Sequence, residues 1–134
     1  MDLNLKGRLA LVTGSTGGIG YATARELARL GASVAVNGRA KTRVDEAIER
    51  LKGEVAKANF IAAPGDLAGA QGADAVIRAV PAADLLVNNA GIFDPKPCFA
   101  IPAEDWLRVF GGNVLSGFLL ARPSPPRLSN QAGA

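Results

Sequence analysis

Apolar residues along the chain fall into short runs and spaced stripes that alternate from end to end. "RLALVT" (8–13) is an apolar run that stops at a glycine-rich turn, the pattern of a buried strand. In "GIGYATARELARLGA", Ile19, Ala22, Leu27 and Leu30 share one side of a helical wheel, and Arg25, Glu26 and Arg29 share the other. This predicts an amphipathic helix stopped by Gly31. "SVAVNG" (33–38) predicts a second strand. "RVDEAIERLKGEV" predicts a second helix, opened by a capping box in which Asp45 follows Thr42 by three residues. "NFIAA" (59–63) is a third strand ended by Pro64, a weaker helix covers 69–79, and "DLLVNNAG" (84–91) is a fourth strand running into a loop. "PAEDWLRVFGGNVLSGFLLA" (102–121) has a long helical pattern with an acidic first turn. Gly111 and Gly112 in its middle each cost about 1 kcal/mol against alanine.

Strands alternating with helices over short connections imply βαβ units and a parallel sheet. Right-handed crossovers make that sheet a doubly wound α/β layer. Its 134 residues suffice for one domain, expected over 1–122, with an irregular tail at 123–134. Aromatic residues make up only 5%, so the core must be aliphatic. No apolar run approaches the roughly 20 residues needed to span a bilayer. The N-terminus lacks the pattern of a signal peptide, and the lone Cys98 suits a reducing cytoplasm. The net charge of +3 is scattered and has no basic block, which disfavours nucleic acid as a partner. Histidine is absent, which removes Ser-His-Asp hydrolysis and most zinc chemistry, and no metal site is expected.

The chemistry begins at "VTGSTGGIG" (12–20), between the first strand and the first helix. Gly14 allows a sharp turn, while Gly18 and Gly20 leave room for a pyrophosphate and for close helix–strand packing. The helix N-terminus offers unpaired N–H groups to an anion. The spacing is G-x-x-x-G-x-G, and no Lys-Ser/Thr follows Gly20, so it is not a P-loop. An ordinary tight turn is the competing reading. At the end of the second strand, "NGRAK" (37–41) offers no acid to accept a ribose 2′-OH; it carries Arg39 and Lys41. A guanidinium grips a 2′-phosphate bidentately, so NADP(H) is the expected cofactor unless Arg39 only sits solvated on a loop.

"TGSTGGIG" resembles the cofactor signature of the short-chain dehydrogenase/reductase family, and "NNAG" (88–91) resembles its second motif. Asp66-Leu67 resembles the family's adenine-pocket pair, and "EDWLRVFGGNVLSGF" is similar to its fourth-helix segment, whose catalytic asparagine falls on Asn113. The likeness covers residues 5 to about 122 and is similar to the 3-oxoacyl-carrier-protein-reductase-like members. It implies a Rossmann-type doubly wound parallel sheet, truncated after about four strands in the order 3-2-1-4. It also implies cofactor contacts from Gly14, Ser15, Thr16, Gly17, Gly18, Ile19 and Gly20, from Asn37 and Arg39, from Asp66 and Leu67, and from Asn89, Ala90 and Gly91. Asp66 reads equally as an Asx turn after Pro64-Gly65, and Asn113 as a polar residue that kinks a helix beside two glycines.

Family chemistry passes a hydride between nicotinamide and a carbonyl or alcohol carbon, with a Tyr-x-x-x-Lys pair as acid/base. The single tyrosine here, Tyr21, is followed four residues on by Arg25, so that pair is absent. The serines after Asn113 (Ser116, Ser124 and Ser129) lie in no strand-like context. "RPSPPRLSNQAGA", with Pro123, Pro125 and Pro126, reads as a truncated or frame-shifted end, with a natural short paralogue as the rival explanation. The fourth strand would then be an open edge, the 102–121 helix would expose Trp106, Phe110, Leu115 or Phe118, and the fold would be marginal. The resemblance therefore implies the cofactor half of a cytoplasmic NADP(H)-dependent oxidoreductase acting on a small carbonyl or alcohol, inactive alone. The alternatives are a non-catalytic module that binds dinucleotide or pairs with an intact relative, a homo-oligomer joined through helix 102–121 being one form of that pairing, and a product without function.

Overall fold

The computed structural model describes residues 3–122, so the expected irregular tail at 123–134 lies outside the described residues. Strand β1 (Leu9–Val12) leads into helix α1 (Gly18–Arg29), β2 (Ser33–Gly38) into α2 (Lys41–Glu54), and β3 (Phe60–Pro64) into α3 (Ala70–Ala79). Strand β4 (Leu85–Val87) is followed by a short 3-10 turn at Cys98–Ala100, then by α4 (Ala103–Phe110), a π-helical turn (Gly111–Leu115) and α5 (Ser116–Ala121). The four strands form one parallel sheet in the order β3-β2-β1-β4, as the sequence predicts. Val12 at the end of β1 aligns with Val36 on one side and Val87 on the other, so β1 and β4 end level while β2 runs two residues further, to Gly38. The chain moves outward from β1 to β3 and returns to β4. The strand order thus reverses at β1, where doubly wound sheets open a crevice for ligands.

Both faces of the sheet are covered. Ala10, Val12, Val34 and Val36 pack with Ala24 and Ala28 of α1 and with Val44, Ala47, Ile48 and Leu51 of α2. The alternate positions Leu11, Ala35 and Ala63 pack with Leu67, with Ala73 and Val76 of α3 and with Leu120 of α5. This period-2 division, with apolar side chains on both faces, is why the strands read as continuous apolar runs.

Four expectations need correction. Ile19 and Leu30 are not part of the buried stripe of α1: Ile19 is 80% exposed and Leu30 39%. The helix meets the sheet through Gly20, Ala24 and Ala28, four residues apart, because small side chains let it lie close. Thr42 and Asp45 form no capping box. The helix starts at Lys41 behind Ala40 with no side-chain cap, and Asp45 pairs with Lys41 one turn back. Strand β4 spans three residues, shorter than 84–91, because Asn88 and Asn89 leave the ladder. Finally, the 102–121 helix is not uniform: a π turn sits at its two glycines. A Cβ on Gly112 would stand 2.8 Å from Ile92 Cδ1, so the loop after β4 packs against the helix backbone there. Trp106, Leu107, Phe110, Val114, Leu115 and Phe118 are exposed along this helical run.

Candidate functional site

The site is built where β1, β2 and β4 end, and four polar side chains tie those ends together. Thr13 follows β1 and is buried. Its hydroxyl donates to the Val87 carbonyl at 3.2 Å and accepts the N–H groups of Asn89 (2.9 Å) and Ala90 (2.8 Å). Ser15, fully buried, donates its hydroxyl to the Val12 carbonyl at 2.7 Å and accepts the Asn37 N–H at 3.0 Å. Asn37, 2% exposed, accepts the Gly14 N–H at 3.1 Å through Oδ1. Its amide donates to the carbonyls of Ala63 (2.9 Å) and Gly65 (3.3 Å). Asn89 closes the ring by donating to the carbonyls of Thr13 and Gly14.

Within that frame the turn demands glycine at three places. Gly14 and Gly18 have φ +61° and +56°, which a side chain rarely adopts. A Cβ on Gly20 would stand 2.5 Å from both the Gly14 carbonyl oxygen and Asn89 Nδ2, so α1 rests directly on the turn. Space is not the constraint at Gly17 or Gly18, since a Cβ at either would meet nothing within 4 Å, and Gly17 is extended. Gly17 is the N-cap of α1 and no side chain caps the helix there, so its first N–H groups face open space.

A cleft of about 550 Å³ opens along these strand ends, within the range of small-molecule sites. Gly14, Thr16, Asn37, Arg39, Asp66, Leu67, Ala90 and Gly91 all line it. The remaining sequence-predicted residues do not. Ser15 is buried in the frame, while Gly17, Gly18 and Ile19 are exposed in the stretch that follows Thr16. Gly20 packs against the turn, and Asn89 braces it. Arg39 is exposed and forms no ion pair with any described residue, whereas Lys41 is engaged by Asp45. Asp66 does form the Asx turn, Oδ1 accepting the Ala68 N–H at 3.0 Å. Its Oδ2 bonds to no described residue, and Asp66 lines the cleft.

Asn113 sits in the π turn and clamps the loop after β4. Its Oδ1 accepts the Ile92 N–H at 3.1 Å, and Nδ2 donates to the carbonyls of Ile92 (3.0 Å) and Val109 (2.8 Å). The side chain is thus fully occupied in holding the loop. Beyond it, Asp94 binds Lys96 at 3.2 Å and Arg108 at 2.8 Å, and Asp105 binds the same two cations. Lys96 above all, with Arg108, holds both carboxyls below their usual range. Asp94 and Arg108 line the cleft beside Phe93. Sequence reasoning missed Thr13 and this ionic cluster. The Asp105–Arg108 spacing on α4 was a visible signal, but the pairing with Asp94 depends on a loop path that no periodicity encodes.

Tyr21 is not an acid/base candidate. Its hydroxyl donates to Glu54 at 2.7 Å, and partial burial together with that carboxylate raises its pKa, the opposite of what proton transfer near neutrality needs. Ser116 donates to the Gly112 carbonyl within the helix. The other two serines considered, Ser124 and Ser129, lie outside the described residues.

Comparison with known proteins gives a consistent picture. A family model described as short chain dehydrogenase matches residues 8–134, beyond residue 122 where the motif resemblance ends. The uncharacterised oxidoreductase YvaG of Bacillus subtilis (strain 168) is 47% identical over 122 residues, covering 91% of this chain and 46% of the relative. The 2-dehydro-3-deoxy-D-gluconate 5-dehydrogenase of Formosa agariphila is 36% identical over 124 residues, 89% of this chain and 46% of its own. Among solved structures, L-sorbose reductase from Gluconobacter frateurii, complexed with NADPH and L-sorbose, superposes with a TM-score of 0.88 at 32% identity. That match covers 96% of this chain and 50% of the reductase. The chain spans about half the length of the curated relatives it matches.

Proposed function

Since the chain belongs to the short-chain dehydrogenase family, we propose that residues 3–122 hold NADP(H) for an oxidoreductase acting on a small carbonyl or alcohol. One observation carries this reading: an uncapped helix N-terminus follows a braced glycine turn whose Gly14 and Thr16 line a cleft, and the Arg39 that lines the same cleft has no ion-pair partner among the described residues. The residues fit the cofactor. The space beside Gly17 and Gly18 admits a pyrophosphate against helix N–H groups. Arg39 suits a 2′-phosphate, and the Asp66 Oδ2 suits the adenine amino group. Asn37, Asn89 and Thr13 hold this cradle from below, while Asn113 and the Asp94–Arg108 pair fix the loop at the other end of the cleft. Bound NADPH would supply the hydride. Holding it and excluding water from one wall are the tasks these residues perform. Relatives solved with NADPH or NADP support the choice of cofactor.

The 134 residues contain no Tyr-x-x-x-Lys pair, so the chain is proposed to bind the cofactor without turning it over, as the cytoplasmic cofactor-holding part of a longer design. Titration of the purified chain with NADPH, followed by nucleotide fluorescence, should saturate. A parallel assay with small aldehydes, ketones and alcohols should give no change in NADPH absorbance. Absence of binding, or turnover by the chain alone, overturns the proposal. Arg39→Asp should weaken NADPH at least tenfold, about 1.4 kcal/mol, and leave NADH within a factor of about two. An unchanged NADPH-to-NADH ratio would remove Arg39 from the site.

The exposed Trp106, Leu107, Phe110, Val114 and Phe118 favour a second reading in which the α4–α5 run docks onto another copy or an intact relative. Co-purification with a full-length relative, lost on Phe118→Glu, would support it. Among the described residues no helix is long and apolar enough to cross a membrane.

A further inference from the structure

Arg50, ten residues into α2, makes an unusual choice of partner. Its neighbours one turn away on the same helix are Glu46 and Glu54, the ordinary ion-pair positions, yet it forms no ion pair with any described residue. Its Nη2 instead donates to the Thr16 carbonyl at 2.8 Å, reaching from α2 to the glycine turn. The guanidinium also lies over the Tyr21 ring, 4.7 Å from its centroid. That ring is fixed in turn: its hydroxyl donates to Glu54 Oε1 at 2.7 Å, and Arg25 holds Glu54 Oε2 at 3.2 Å. An exposed arginine is thus stacked on a tethered ring and aimed at one backbone oxygen.

That oxygen belongs to the peptide whose N–H is Gly17's, the N-cap of α1 and the start of the open donors. A trans peptide is planar, so gripping the Thr16 oxygen sets the direction of the Gly17 N–H. A cation on the carbonyl also polarises the peptide and strengthens that N–H as a donor. We infer that Arg50 is a positioning residue: it fixes the Thr16–Gly17 peptide from outside the cleft and so presents the first amide of the phosphate cradle. This rests on the dinucleotide reading above. Because the pyrophosphate is common to NADPH and NADH, the effect of Arg50 falls equally on both.

The test uses Arg50→Met, Arg50→Lys and Tyr21→Phe in the whole chain, with two readouts. Without nucleotide, the ¹H–¹⁵N shifts of Gly17 and Gly18 are measured; with nucleotide, NADPH and NADH affinities are compared. Arg50→Met should shift the Gly17 amide and weaken both nucleotides by the same factor, about three- to tenfold. Arg50→Lys, which keeps a donor and the charge but not the flat stacking face, should recover part of the loss. Tyr21→Phe keeps the stacking face but removes its tether to Glu54, and should weaken both nucleotides equally and by less than Arg50→Met. An unmoved Gly17 amide in Arg50→Met overturns the inference. So does a loss confined to NADPH, which would mean direct attraction of the 2′-phosphate. If the wild-type chain binds neither nucleotide, the dinucleotide reading falls, and the Gly17 amide alone decides whether Arg50 sets that peptide.

Discussion

Asn37→Ala should lower the unfolding free energy by about 3–5 kcal/mol, a large share of the 5–15 kcal/mol typical of a domain. The side chain is buried, and each of its polar groups is paired: Oδ1 with the Gly14 N–H, Nδ2 with the carbonyls of Ala63 and Gly65. Truncation removes one partner from each of those three backbone groups, at about 1–3 kcal/mol for each left dry without another. Urea unfolding followed by circular dichroism measures the loss, and a change below about 1 kcal/mol would show that water replaces the side chain freely. Asn37→Asp separates charge from shape. The new carboxylate keeps the acceptor for Gly14 but faces two carbonyl oxygens, so burial and those oxygens raise its folded pKa above the unfolded value near 4. The folded state then binds the extra proton more tightly. Relative to wild type, this variant should gain stability as pH falls through the raised folded pKa and lose it as pH rises through the same window. The protonated acid restores a donor toward Ala63.

Asn37 also shows how far the chain could be read without coordinates. The family resemblance marked it as a site residue, and it does line the cleft. Nothing local revealed that its side chain would face inward to the Gly14 N–H, 23 residues away. The parallel sheet was legible because each strand is an apolar run and each connection is a helix of ordinary length, and its order followed from the family resemblance. The buried face of α1 was not, because a wheel ranks Ile19 above Ala24 and Ala28, while contact with the sheet selects for small size. The capping box at Thr42 failed for a related reason, since the lysine one turn before Asp45 claims the carboxylate. Asn113 was located by motif alone, and its partners Ile92 and Val109 became visible only with the π turn that aims it at the loop. Residues whose role lies in the backbone they touch were the ones the sequence located without explaining.

The second large effect is on binding. Gly20→Ala should abolish measurable NADPH binding, a loss of at least about a hundredfold, at a stability cost of about 1–3 kcal/mol from overpacking. The added methyl would stand 2.5 Å from the Gly14 carbonyl oxygen and from Asn89 Nδ2, closer than real Cβ atoms approach. Asn89 is itself bonded to that carbonyl at 3.2 Å, so the two obstacles cannot yield independently. Either α1 lifts away from the turn or the turn peptide rotates. Both movements displace the helix N–H groups from where an anion would meet them. Alanine's better helix propensity, about 1 kcal/mol, offsets part of the stability cost but none of the displacement. Gly17→Ala is the matched control, because a Cβ there meets nothing and Gly17 already has an extended backbone. Its stability should stay within about 0.5 kcal/mol of wild type, while its methyl intrudes on the open space left for the pyrophosphate and weakens NADPH. A melting series and a fluorescence titration on the two variants separate the cases. Wild-type affinity in Gly20→Ala would mean that the seat of α1 on the turn is not what shapes the cradle.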